Sequence, residues 1–162
     1  MRGVAIGFSL VLLLTVSACA QSVAIAPAET RDDPFLPYTE TSAGQSRAVI
    51  PNGLAQIELL KRKDRKTGVA NTLLHVATVY HGSHREKYES ARNAKAEPLK
   101  FQPYNYEKSC EKRDCQHTEV FFVEIPEQEL KQAGPDGYAL KIFARGGTNL
   151  TITIPPGLIA RL

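Results

Sequence analysis

The chain has 162 residues, with 20 basic and 17 acidic side chains and a formal net charge of +3. This near-balance excludes a strong nucleic-acid footprint. The length suits a single domain able to bury a proper core.

The amino end carries Arg2 and then an apolar run from Val4 to Leu14. A charged start, an apolar core too short to span a bilayer permanently, and small residues at 17 and 18 form a secretory signal over residues 1–18. The stretch Val16-Ser17-Ala18-Cys19 resembles the lipobox of bacterial lipoproteins. That resemblance implies cleavage before Cys19, a thioether-linked diacylglycerol on its sulfur and an acylated amino end. It makes the lipid bilayer the first expected partner. Ala20, where aspartate would direct retention, implies the outer membrane by resemblance to the sorting rule of Gram-negative lipoproteins. The domain would then face the periplasm. Cleavage leaves 144 residues and removes only one charge, Arg2.

Residues 19–36 comprise the lipidated cysteine and a segment of small residues, prolines and charges without sustained period, expected to be a flexible tether. Residues 37–162 are expected to form one β-rich domain. Pro51-Asn52-Gly53 signals a turn, and Ala55, Ile57 and Leu59 alternate with Gln56 and Glu58 as in a half-buried strand. Lys61 through Gly68 then reads as a basic hairpin tip. Residues 72–81 are apolar on both alternating faces, which suits a central strand covered on both sides. Gly82-Ser83-His84 is a turn. The charged, alanine-rich residues 85–97 read as an edge strand or an irregular crossing. Pro98 to Tyr106 reads as a strand offering Leu99, Phe101 and Tyr104 to the core, and Thr118 to Ile125 is the densest apolar strand of the mature chain.

One short helix is signalled by Pro126 in its first turn, by Glu127 and Glu129 near its positive end, and by Gly134-Pro135 after it. It must pack through Leu130. In the last hairpin, Tyr138, Leu140 and Ile142 share one face, and Leu150, Ile152 and Ile154 share another. A two-residue turn at Gly146-Gly147 would point these rows oppositely. A three-residue loop, Gly146-Gly147-Thr148, sets Ile142 opposite Ile152 and is the expected connection. A turn follows Pro155-Pro156. The expected architecture is an antiparallel β-sandwich or small barrel of six to eight strands with one short helix.

Cys110 and Cys115, with four residues between them, are the cysteines left once Cys19 is assigned to lipid. In an oxidising envelope they are expected to form a disulfide closing a hairpin loop, and the spacing differs from the redox Cys-x-x-Cys. His75, His81, His84 and His117 bring no set of ligands with metal-site spacing, and His75 reads as a hydrogen-bonded core residue. No Gly-x-Ser-x-Gly motif occurs, and Gly146-Gly147 lacks the rest of a phosphate loop. No cofactor or catalytic residue is expected. The basic runs are the remaining features with functional colour. Lys61, Arg62, Lys63, Arg65 and Lys66 fall within one expected turn and are candidates for contact with an anionic lipid surface or an acidic envelope protein.

The Ile57–Leu60 stretch with its basic tip, the later cysteine pair and the ending Thr151-Ile-Thr-Ile-Pro-Pro resemble small proteobacterial lipoproteins of uncharacterised function. Lipidated lysozyme inhibitors are also small β-proteins, but their Ser-Gly recognition motif is missing from the mature chain. The expected function is a non-enzymatic binding or assembly accessory of the envelope. A periplasmic enzyme, or an enzyme inhibitor, is the alternative.

Overall fold

The computed structural model describes residues 27–112 and 114–162. The signal segment and Cys19 lie outside them. Nine antiparallel strands form one sheet curled into a half-barrel. They are β1 (Glu29–Arg31), β2 (Tyr38–Ile50), β3 (Gly53–Asp64), β4 (Ala70–His81), β5 (Tyr88–Asn93), β6 (Pro98–Glu111), β7 (Asp114–Ile125), β8 (Tyr138–Ala144) and β9 (Asn149–Ile154). Their order across the sheet is β1-β2-β3-β4-β7-β6-β5-β8-β9. Two short helices, α1 (Glu127–Lys131) and α2 (Pro156–Ile159), complete the domain.

The mainly β class is as expected, but the count of strands and helices is corrected. Glu29–Arg31 pairs with Glu40–Ser42, so a strand lies within the stretch read as tether. Residues 85–97 supply β5, which sits between β6 and β8 inside the sheet. A register shift between Tyr88 and Ser90 breaks its alternation, so Tyr88, Ala91 and Asn93 are its buried residues. Pro155-Pro156 starts α2, because a proline in the first helical turn forfeits no intrahelical hydrogen bond.

The period of two decides what each central strand buries. In β4, Leu74, Val76 and Tyr80 point inward, and Leu73, His75, Ala77 and Val79 lie half-exposed outside. The two-sided burial expected of this strand is therefore complete on one side only. In β7, His117, Glu119, Phe121, Val123 and Ile125 point inward. Bulges reset the phase elsewhere. The one between Pro103 and Asn105 interrupts β6, where proline needs no ladder hydrogen bond, and turns Tyr104 out to 69% exposure. Tyr104 is thus not a core residue, whereas Leu99 is buried.

The inner faces of both halves merge into a single core running from Ile57 and Leu74 through Phe121 to Ile142 and Ile154. Leu158 of α2 is fully buried in it, and α2 touches β2, so the helix plugs the gap that the curled sheet leaves between its two ends. Leu130 anchors α1 as expected.

The final hairpin keeps its three-residue loop but starts it one residue earlier. Ala144 donates its backbone N–H to the Thr148 carbonyl at 2.9 Å, leaving Arg145, Gly146 and Gly147 as the loop. The register becomes Leu140 opposite Ile152 and Ile142 opposite Leu150. Moving a loop of fixed length by one position shifts register by two residues, so both apolar rows still face the core. Gly147 takes φ +88°, the left-handed bulge position, with open space around it. Gly137 combines φ +85° with an Ile154 carbonyl oxygen only 2.2 Å from where a Cβ would stand.

Urea unfolding should order three substitutions. Gly147→Ala is expected to cost about 1 kcal/mol, from backbone strain alone. Gly137→Ala should cost at least about twice that, since the steric clash adds to the strain. Leu158→Ala should cost about 2–5 kcal/mol by opening a cavity in the plug. Equal effects of the two glycine substitutions would contradict the close approach at Gly137.

Candidate functional site

The expected basic tip is dispersed by the strand. Lys61, Arg62 and Lys63 belong to β3, where alternation sends Arg62 to the opposite face from its two neighbours. Arg62 donates to Glu40 at 2.8 Å and lies over the Tyr38 ring, 4.1 Å from its centroid. Lys61 pairs with Glu127 at 3.6 Å. Arg65 pairs with Asp32 and donates to the Leu36 and Asp33 carbonyls at 3.0 and 2.9 Å. The turn itself is built on Asp64, whose Oδ1 accepts from the Lys66 and Thr67 N–H groups and the Thr67 hydroxyl. Those bonds, Thr67 foremost, hold the Asp64 carboxyl below its usual pKa. Three of the five cations are therefore matched by carboxylates from elsewhere in the chain, and the five do not make one patch.

Cys110 and Cys115 stand directly opposite each other on β6 and β7 with Cα atoms 4.0 Å apart, at disulfide distance. The hairpin they close includes Lys112 at φ +55°. His81 and His84 do not converge. His81 Nδ1 meets Asp114 at 3.0 Å on the surface, and His84 is exposed. Among the described residues no group of three or more His, Cys, Asp or Glu side chains is arranged to hold a metal ion. His75 is half-exposed on the outer face, against the Phe122 ring, rather than in the core.

What the sequence pattern missed is a pair of buried carboxylates, one on each face of the sheet. On the outer face, Glu58 is 5% exposed. It accepts from Ser42 Oγ at 2.6 Å and Gln45 Nε2 at 3.4 Å, with Arg31 at 3.5 Å and His75 at 3.7 Å. His75 first, then the Ser42 hydroxyl and Arg31, hold its carboxyl below the usual range against the opposing effect of burial.

On the inner face, Glu119 is 2% exposed and fully engaged. Its Oε1 accepts from the Tyr80 hydroxyl at 2.6 Å and the Lys87 N–H at 2.9 Å. Its Oε2 meets Arg85 Nε at 3.1 Å and Nη2 at 3.0 Å, a two-pronged pair. The Arg85 guanidinium lies 4.0 Å from the Tyr106 ring centroid. Tyr106 donates its hydroxyl to His117 Nδ1 at 3.0 Å, because His117 Nε2–H is turned to the Gly82 carbonyl at 3.0 Å. Both nitrogens of this buried imidazole are thereby committed. Over this network opens a cleft of about 340 Å³ lined by Arg85, Tyr88, Pro103, Tyr104, Asn105 and Tyr106, with Glu119 and Phe121 in its lining. Arg85 Nη1 has no hydrogen-bond partner among the described residues.

The tyrosines of this interior resist ionisation. Burial raises Tyr88 to about 12, helped by the charges of Glu86 and Glu119. Burial raises Tyr80 further, followed by its bond to the Glu119 carboxylate, and Tyr138 is raised in the same way by burial and Glu129.

No family model, curated protein or solved structure matches this chain.

Stability should therefore fall at both ends of the pH scale. Glu58 is depressed in the folded state, so its contribution is present above the unfolded carboxyl value of about 4.3 and is lost as pH falls below it. Tyr80, Tyr88 and Tyr138 are raised, so their contribution is complete below about pH 10 and drains as pH rises through the folded values. Urea midpoints across pH should show both limbs, with Glu58→Gln flattening the acid one. At neutral pH, Glu119→Ala should cost about 3–5 kcal/mol, because it strands Arg85 and the Tyr80 hydroxyl. A loss below about 1 kcal/mol would mean that water substitutes for the carboxylate.

Proposed function

We propose that this chain is a lipoprotein of the bacterial envelope, held through Cys19 to the outer membrane and facing the periplasm, whose β-domain is a non-enzymatic binding or assembly accessory. The lipobox resemblance and the short apolar core before it support the anchor. The observation that carries the binding reading is the cleft over Glu119. Its proton-transfer groups are spent on architecture, with Glu119 taken up by four contacts and His117 by two. The group left open to a visitor is a guanidinium held on one edge by Glu119 and on one face by Tyr106.

Such an Arg85 loses little conformational freedom on binding, and its planar fork suits a carboxylate or phosphate oxygen. Because Glu119 cancels its charge, recognition rests on directed hydrogen bonds and on contact with Tyr104 and Tyr88 rather than on long-range attraction. An acidic group carried by an envelope protein fits this cleft.

A photo-crosslinking residue at position 104, in intact cells, should capture one discrete partner. The same residue at Asp136, exposed and away from the cleft, should not. Adding Arg85→Lys to the position-104 probe should weaken capture, since lysine keeps the charge and loses the fork. Identical products from both positions would reject the cleft as the binding site.

A further inference from the structure

We infer that the open edge of β6, from Tyr106 to Cys110, takes an extended segment of the partner as an added strand, and that a carboxylate of this segment reaches Arg85 in the cleft. The added strand rests on the edge alone, whereas the carboxylate deepens the cleft reading and rests on it. β6 pairs with β7 from Lys100 to Glu111, apart from the bulge, but with β5 only at Pro98 and Leu99. Beyond those residues β5 keeps its pairing with β8 and leaves β6, so the sheet splits. Glu107, Lys108, Ser109 and Cys110 are exposed one after another, so neither face of β6 is covered there.

Which backbone groups point to the open side follows from the ladder. In an antiparallel pair, alternate residues turn both N–H and C=O away from the neighbouring strand. Cys110 and Cys115, with Cα atoms 4.0 Å apart, make a close pair of that kind. β7 agrees. The Cys115 carbonyl accepts from Gly82 N–H at 3.0 Å and the Glu119 carbonyl from Thr78 Oγ1 at 3.2 Å, both on the β4 side. Their opposites on β6 are Cys110 and Tyr106, with Lys108 between them, so Tyr106, Lys108 and Cys110 aim their N–H and C=O outward. Tyr106 N–H is taken by the Asn105 side chain at 2.9 Å. The N–H groups of Lys108 and Cys110, and the carbonyls of Tyr106, Lys108 and Cys110, meet no backbone partner among the described residues.

A row of donors and acceptors at strand spacing is completed by another strand. Pro103 and the bulge blunt β6 as far as Asn105, and the ladder beyond them is regular. A second copy of this chain is disfavoured, because antiparallel pairing centred on Lys108 would set one lysine against the other. Lys108 shares the face of His117, and Tyr106 that of Glu119, the side on which the cleft opens. The Lys108 ammonium forms no ion pair among the described residues. Arg85 stands over the Tyr106 ring, 4.0 Å from its centroid. A side chain of the added strand directly opposite Tyr106 would have its Cβ about 5 Å from that of Tyr106. An aspartate or glutamate there meets Arg85, with Lys108 as the next neighbour on the same face. Glu119 is already fully engaged, and Glu107 faces the other way.

Amide hydrogen exchange in the full-length protein, read by NMR, tests both parts. The probe is a blocked peptide of alternating threonine and valine with one central glutamate, and its control carries glutamine instead. In the free protein the Lys108 and Cys110 amides should exchange at least about tenfold faster than those of Glu107 and Ser109, which bond to β7. The glutamate peptide should slow Lys108 and Cys110 about tenfold and leave Glu107 and Ser109 unchanged. Lys108→Pro removes an outward N–H that the β7 ladder does not use, so it should abolish this protection, and Lys108→Gln should not. Arg85→Lys should weaken the glutamate peptide and leave the glutamine peptide as it was. No protection with either peptide, or protection that grows with protein concentration before any peptide is added, overturns the inference. Equal protection by both peptides would refute the acidic cleft and leave the added strand standing. A response at the Arg85 side chain without protection at Lys108 and Cys110 would do the reverse.

Discussion

The Glu119 carboxylate is the constraint on which the arrangement of the two halves of the sheet depends. It sits in the middle of β7, on the core side, where an ion without partners would be prohibitively costly. Its partners come from Tyr80 on β4, from the Arg85 side chain and from the Lys87 backbone. The last two belong to the crossing that leaves β4 and becomes β5 at Tyr88. Lys87 adopts φ +55° there, an unusual conformation for a lysine, and its N–H is the one aimed at Glu119. Satisfying the carboxylate therefore fixes where β5 begins, and β8 and β9 follow from β5 by pairing.

Glu58 imposes a smaller version of the same condition on the outer face. It draws Ser42 across from β2 beside the bulge and holds Arg31, which lies on β1. Arg31 also reaches Glu40, itself paired with Arg62, so the short first strand is tied to its neighbour through side chains as well as its ladder. With Arg31 half-exposed, its ion pair with Glu58 is weak evidence for stability by itself. Here it selects register, because a one-residue slip of β2 would carry Ser42 and Glu40 to the wrong face.

Much of the fold was legible because its determinants are local. Alternation marked β3, a dense apolar run marked β7, Pro126 and Gly134-Pro135 bounded the region of α1, and the parity of the two apolar rows chose the length of the last loop. What escaped notice depends on partners distant in sequence. Bulges at Ser42/Gln45, Tyr88/Ser90 and Pro103/Asn105 shift the phase of three strands, and no residue type announces them uniquely. Glu119 and Glu58 read as ordinary polar positions until Arg85 and Arg31 are placed beside them. The basic run misled for the same reason. Five cations in six positions look like a patch, yet Glu40, Asp32 and Glu127 lie twenty or more residues away and meet three of them.

The pairing of β1 on β2 also has a mechanical side. Load reaching the domain through its amino end arrives first at Glu29, on a strand with only three register pairs, and then at the loop clasped by Arg65. Neither contributes a residue to the buried core. Residues 29–37 can therefore pay out about 30 Å of chain before β2 is strained. What resists that release is the short β1 ladder, the Arg31 pairs with Glu40 and Glu58 and the Arg65 clasp, and all of them can give way without removing a side chain from the core of the half-barrel.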